Sequence, residues 1–148
     1  MLPPLITKQL VTILGEERLL LRSEDLQYYG LDRTTIWQAN PCAVVLPGSI
    51  KEVQQIVLLA KEHNLAIVPS GGRTGLSGGA VAKDGEIVMA LDRLNKIREF
   101  NPLDRTVTVG AGMITENLQN FAVEQGLFYP VDFASTGSSQ IGGNIATN

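Results

Sequence analysis

Apolar positions near the start of the chain recur at helical spacing, with Leu5, Ile6, Leu10, Val11, Ile13 and Leu14 preceding an interruption at Gly15. The spacing predicts a short helix there, followed by irregular chain through SEDLQYYGLDRTTIW. At 43–46 a short apolar run, AVVL, stands between two prolines and reads as a buried strand. Ser49 and Glu52 then form an S-x-x-E capping box, so a helix should start near Ile50 and bury Val53, Ile56, Val57 and Ala60. AIVP at 66–69 reads as a second strand that delivers the chain into a glycine loop. The pattern is a β-α-β unit with that loop at the carboxyl end of its second strand.

Farther along, EIVMAL at 86–91 reads as a strand, and LDRLNKI as a turn into another short one. RTVTVG at 105–110 alternates polar and apolar residues, as a half-buried strand does. Thr115 is placed to cap a helix running to Gln125, with Gly126 as its stop. LFYPV extends the chain toward Asp132, and FASTGSSQIGGNIATN forms a second loop rich in glycine and small hydroxyl residues. Neither an internal repeat nor a low-complexity linker is present.

Composition narrows the function classes. The chain has 148 residues, enough for one domain with a core, and is 44% hydrophobic and 18% charged, ordinary for a globular protein. Twelve basic and fifteen acidic side chains leave a net charge of −3 with no basic run, which disfavours nucleic acid as a partner. No apolar run approaches a membrane span, and MLPPLITKQL lacks the basic region and long apolar stretch of a signal peptide. The single cysteine, Cys42, excludes an intramolecular disulfide and a cysteine-based metal site. A cytoplasmic setting is expected, compatible with peripheral attachment to the inner membrane through further chain.

Five glycines fall in PSGGRTGLSGGAV at 69–81: Gly71, Gly72, Gly75, Gly78 and Gly79. Ordering glycine carries a high entropy cost, so the cluster signals a backbone that approaches something closely or takes dihedrals a β-carbon forbids. Converging N–H groups in such a turn make a concave anion site. Thr74 and Ser77 add hydroxyl donors, and Arg73, the loop's one cation, suits bidentate pairing with a phosphate. A mobile surface loop is the bland alternative. The buried-looking strand before the loop argues against it, since α/β proteins place ligands there, and so does a second loop of like chemistry at 134–144. A Walker loop is set aside, because no glycine is followed directly by lysine. Gly110-Ala111-Gly112 imitates the start of a dinucleotide fingerprint, with Asp132 twenty residues after Gly112, but Thr115 stands where the third glycine belongs.

Taken together and in this order, the two loops resemble those of the flavoproteins with a PCMH-type (vanillyl-alcohol-oxidase family) FAD-binding domain. The nearest branch holds the glycolate oxidase D-subunit, D-lactate dehydrogenase and D-2-hydroxyglutarate dehydrogenase. PSGGRTGLSGG is similar to the family's P-x-G-G-x-T-G-x-x-G-G. YPVDFASTGSSQIGGNIATN is similar to its second motif, a proline and aspartate followed by G-S and I-G-G-N-x-x-T-N. AVVLPGSIKEVQQIVLLAKEHNLAIVPSGG has the family's strand, helix and strand, and the resemblance spans roughly residues 27–148.

The resemblance implies an α+β class: a PCMH-type FAD-binding fold of two α/β subdomains, incomplete at the C-terminus. Residues 1–36 would be an N-terminal helical lead and 37–148 the truncated FAD-binding domain. The backbone from Gly71 through Gly72 to Gly75 would cradle the FAD pyrophosphate, with Ser70, Arg73, Thr74, Gly78 and Gly79 nearby. Pro130, Asp132, Gly137, Ser138, Ile141, Gly142 and Asn144 would line the flavin and the ribityl or ribose side. Many relatives carry glycine at the position of Arg73, and those that bind flavin covalently often carry histidine there. Arginine cannot form that bond, so non-covalent FAD is implied. The DFAS of the second loop replaces the DPGS of many relatives.

The activity implied is oxidation of a D-2-hydroxy acid (lactate, glycolate or 2-hydroxyglutarate type) by hydride transfer from C2 to flavin N5, with an electron acceptor left unspecified. That chemistry needs a base and a cation or metal for the carboxylate. This sequence assigns no catalytic or metal residue, so the chain is expected to be an N-terminal piece, catalytically incomplete alone, whose substrate residues lie beyond Asn148. Exposed sheet edges would then favour self-association. Two other readings stand beside it: a non-catalytic truncated module binding FAD or an ADP-like moiety, and a reductase of the enolpyruvyl-UDP-sugar type. The match through IGGNIATN argues against the reductase. Cys42 reads as a strand-edge or buried residue, and His63 as a helix C-terminal residue favoured by the dipole. Tyr28, Tyr29 and Trp37 read as packing residues, and Asp132 as a brace of the second loop or a flavin contact.

Overall fold

Short local signals start and stop most of the elements. The computed structural model describes residues 2–147, so Asn148, the last residue of the second motif, lies outside the described residues. Helix α1 (Pro4–Leu14) begins on a proline, whose missing N–H is not needed in a first turn, and ends at Gly15 with φ +83°. Its buried stripe is Ile6, Leu10 and Leu14. After the two-residue strand β1 (Leu19–Leu20), helix α2 (Ser23–Gly30) replaces the irregular chain expected there. No side chain caps α2. Tertiary packing holds it instead, with Leu26 and Tyr29 against Val44, Val88 and Ala90.

Strand β2 (Ala43–Val45), helix α3 (Ile50–Glu62) and strand β3 (Ile67–Ser70) follow as expected. Ser49 Oγ accepts the Glu52 N–H at 3.2 Å and caps α3. The Glu52 carboxylate reaches back to the Gly48 N–H and receives Arg18 Nη1 on both oxygens, at 2.8 and 3.0 Å. Burial alone would raise this carboxyl, but the Gly48 N–H and Arg18 outweigh it and hold it below its ordinary value. The buried stripe of α3 is Ile56, Leu59 and Ala60. Val57, expected inside, is exposed, because it sits about 100° round the helix from that stripe.

Strand β4 (Ile87–Ala90) inserts between β2 and β3, parallel to both, giving the order β1-β2-β4-β3 with β1 antiparallel to β2. Every residue of β4 is buried. β3 is the edge strand, with Ile67 and Val68 half-buried, Pro69 exposed and only Ser70 buried, so the strand that enters the glycine loop is not the buried one expected. Successive β4 residues serve opposite faces. Ile87 and Met89 join Ile6, Leu10, Leu14 and Ile56 under α1 and α3, while Val88 and Ala90 join Val44 and Ala82 under α2.

A second, smaller unit pairs strands β5 (Ile97–Asn101) and β6 (Thr106–Val109) antiparallel, with helices α4 (Thr115–Glu124) and α5 (Ile141–Thr147). Met113, Leu118 and Ile141 form its core with Val107, Val109, Phe121 and Tyr129. Ile114 is the N-cap of α4; Thr115, expected to cap, is its first residue and fully buried. Gly126, with φ +68°, turns the chain after the helix. From Ile141 onward the expected loop is helical, because burial of Ile141 in the core seats the first turn of α5. The class is α+β, in two strand-and-helix units. No helix among the described residues is long and apolar enough to cross a membrane.

Candidate functional site

The two glycine-rich segments meet where β3 ends. Ser70 closes the strand fully buried, its Oγ 3.5 Å from the Tyr29 carbonyl oxygen, and the chain then bends through 71–79. The segment after α2 holds the rim of this loop. Asp32 accepts the Gly78 N–H at 3.0 Å and the Thr34 N–H at 2.8 Å, and the Arg33 N–H donates to the Gly75 carbonyl at 2.9 Å. Gly78 has φ +75°, and a β-carbon there would overlap the Trp37 ring. Trp37 therefore shapes the loop rather than packing only within the lead.

Gly72 is where the second loop crosses the first. A β-carbon on it would overlap the carbonyl oxygen of Ser138. The second loop is braced from below by fully buried Thr115, whose N–H donates to the Ser139 carbonyl at 3.0 Å. Thr115 Oγ1 lies 2.8 Å from Ser139 Oγ, and Asn144 Nδ2 donates to it at 2.7 Å. Gln140 Nε2 donates to Asp92 at 3.3 Å, tying the loop to the end of β4. Gly142 packs against Ala111, with no room for a β-carbon.

Between the loops lies a cleft of about 560 Å³, walled by Tyr28, Gly72, Arg73, Asp92, Ser138 and Gln140 among others. Along the first loop, the N–H groups of residues 72–77 meet no acceptor among the described residues. A run of unused backbone donors beside such a cleft can hold an extended polyanion. This donor set fits a dinucleotide pyrophosphate.

Arg73 is disposed differently from the phosphate pairing expected of it. Its guanidinium turns inward, donating to the Gly71 carbonyl at 2.9 Å and to Tyr28 Oη at 3.1 Å. It stacks over the Tyr28 and Tyr29 rings, 4.6 and 4.8 Å from their centroids, and lies 3.7 Å from Asp92. Its φ of +58° is the left-handed conformation that glycine adopts freely and other residues rarely adopt. The Tyr29 hydroxyl is raised, first by burial and then by Asp92.

The structure spreads the expected site residues unevenly. Gly71, Gly72, Arg73, Gly137 and Ser138 gather at or beside the cleft; Thr74, Gly75, Gly78 and Gly79 run along the first loop. Ile141 and Asn144 anchor the second loop from its inner side. Pro130 and Asp132 are exposed, and Asp132 makes no hydrogen bond among the described residues, so it does not brace the loop. Thr115, Ser139 and Gln140 do that instead. Asp32 and Arg33 were also missed, although Asp32 two residues before Thr34 is an Asx-turn signal. Gly110 and Gly112, the imitation fingerprint, are packing glycines set against the Leu94 and Leu91 carbonyls. Cys42 is half-buried with its thiol raised by that burial, which suppresses thiolate. His63 is the C-cap residue of α3.

The family model described as an FAD binding domain matches residues 41–148. A D-2-hydroxyglutarate dehydrogenase of Xanthomonas citri pv. viticola is 60% identical over 131 residues, covering 88% of this chain and 28% of that protein. Among solved structures, an alkyldihydroxyacetonephosphate synthase superposes with a TM-score of 0.90 at 21% identity, over 99% of this chain and 29% of its own. A p-cresol methylhydroxylase with substrate bound superposes with a TM-score of 0.79 at 21% identity, over 95% of this chain and 28% of its own. These structures share the fold. The chain spans less than a third of the length of each of the three proteins.

Proposed function

The chain belongs to the FAD binding domain family, and from that premise we propose that it is the FAD-binding portion of an oxidoreductase acting on a D-2-hydroxy acid. One relative, 60% identical, is named for 2-hydroxyglutarate, which makes that acid the first substrate to test. The observation that carries the reading is the row of unused N–H groups at 72–77, which starts at Gly72 and Arg73 in the cleft wall, opposite a second loop braced by Thr115.

FAD, when bound, supplies the two-electron acceptor for substrate oxidation. The chain's own residues bind and orient it. The 72–77 backbone N–H groups would donate to the pyrophosphate, and Gly72 and Arg73 on one side with Gly137 and Ser138 on the other wall the cleft that would hold it. Thr115, Ser139 and Asn144 keep that wall at a fixed distance from Gly72. Binding would be non-covalent, since Arg73, packed on two tyrosines, stands where the resemblance leads one to expect the histidine of covalently flavinylated relatives, and an arginine forms no such bond. Capture of the acid's carboxylate and removal of its hydroxyl proton fall to residues outside those described, as does transfer to the electron acceptor.

The test is titration of FAD, ADP and FMN into the chain, followed by calorimetry and flavin fluorescence. Binding of FAD and ADP, with FMN much weaker, supports pyrophosphate recognition by the first loop. Absence of both FAD and ADP binding overturns it.

A further inference from the structure

Two arginines and two aspartates line the cleft, and their charges are not equally available. Arg73 is committed to Gly71, the two tyrosines and Asp92, and its side chain is only 14% exposed. Asp92 faces Arg73 and accepts from Gln140. The Asp32 carboxylate is taken up by the Gly78 and Thr34 N–H groups. Arg33 alone has a side chain with no hydrogen bond or ion pair among the described residues, and it is exposed.

The backbone of Arg33 is nevertheless fixed, its N–H donating to Gly75 in the middle of the 72–77 donor row. The guanidinium is thus tethered within side-chain reach of whatever those donors hold. The charge balance points the same way. Without Arg33, one arginine faces two aspartates, and an incoming phosphate meets a wall of net negative charge. Arg33 also lies before residue 41, where the family match begins, so the match itself assigns it nothing.

We propose that Arg33 is the anion-binding side chain of this cleft, contacting a phosphate of the dinucleotide held by the 72–77 backbone. Arg73 is then a positioning residue that holds the left-handed turn against α2. The inference rests on the FAD reading above and adds a residue to it.

The test measures FAD and ADP binding at two ionic strengths for the chain, Arg33→Gln, Arg33→Lys and Arg73→Gln, with thermal unfolding of each. Arg33→Gln is expected to weaken FAD and ADP about tenfold, the loss of one charge-assisted hydrogen bond. It should also flatten the salt dependence of binding and leave the melting temperature unchanged. Arg33→Lys should recover most of the affinity, whereas Arg73→Gln should lower the melting temperature. ADP binding by Arg33→Gln with unaltered affinity and salt dependence overturns the assignment and leaves the FAD reading standing. Failure of the unsubstituted chain to bind FAD or ADP overturns both.

Discussion

In the first glycine loop the N–H groups of residues 72–77 find no acceptor among the described residues, while in the second those of Thr136, Ser138, Ser139 and Gly142 all do. The restraints differ in the same sense. The first loop is held at its rim by Asp32, Arg33 and Trp37, from a segment distant in sequence. The second is held at its base by the buried Thr115 hydroxyl. Similar composition therefore serves two purposes: glycine in one loop leaves donors open for a ligand, and in the other permits close packing, as of Gly142 on Ala111. Gly72 belongs to both, because it is the point where the loops touch.

That shared point is where the comparison breaks most severely. Gly72→Val places a side chain into the Ser138 carbonyl and is expected to cost about 3 kcal/mol, roughly a hundredfold in FAD affinity, by titration calorimetry. Gly79→Ala, where a β-carbon meets nothing within 4 Å, should bind FAD as the unsubstituted chain does. Equal effects of the two would mean that glycine flexibility, not loop contact, governs the site.

Thr115→Val keeps the shape of the brace but removes its hydroxyl, leaving Asn144 Nδ2 without its acceptor. A loss of about 2 kcal/mol is expected, seen as a lower urea midpoint with unchanged slope. An unchanged midpoint would show that the second loop is closed by something other than this hydroxyl.

The smallest effect comes from a place remote from both loops and sharpens the contrast as a control. Because the Glu52 carboxyl is held below its ordinary value of 4.5, its contribution is complete above that pH and is lost as the pH falls through the depressed value. The pair with Arg18 is part-buried, each side chain 19% exposed, and glutamine can still accept the Gly48 N–H, so Glu52→Gln should cost about 1 kcal/mol at neutral pH. The variant's stability should also fall less steeply than the unsubstituted chain's when followed by urea unfolding below pH 4.5. FAD affinity at neutral pH should not change.

Elements with a chemical start or stop were legible in the sequence. Ser49 caps α3, Gly15 and Gly126 end α1 and α4, and the alternation of β6 shows in its half-buried residues. The two glycine-rich motifs were legible as motifs, and with them the family. Helix α2 was not, because it has no capping side chain and persists through Leu26 and Tyr29 packing on strands far along the chain. Val57 was misplaced because its apolar character says nothing about which stripe of α3 meets the sheet.

What the sequence determined by itself, then, is the set of elements with local signals and the presence of two glycine-rich loops, since caps, glycine dihedrals and periodicity act over a few residues. Tertiary structure alone decided which groups face the cleft. Parallel insertion of β4 brings Asp92 beside Arg73, and the turn after α2 brings Asp32 to Gly78 across 46 residues. Those contacts turn the loop's arginine inward, leave Arg33 outside, and make Thr115 rather than Asp132 the brace. Each depends on distances between residues far apart in the chain, which no local pattern encodes.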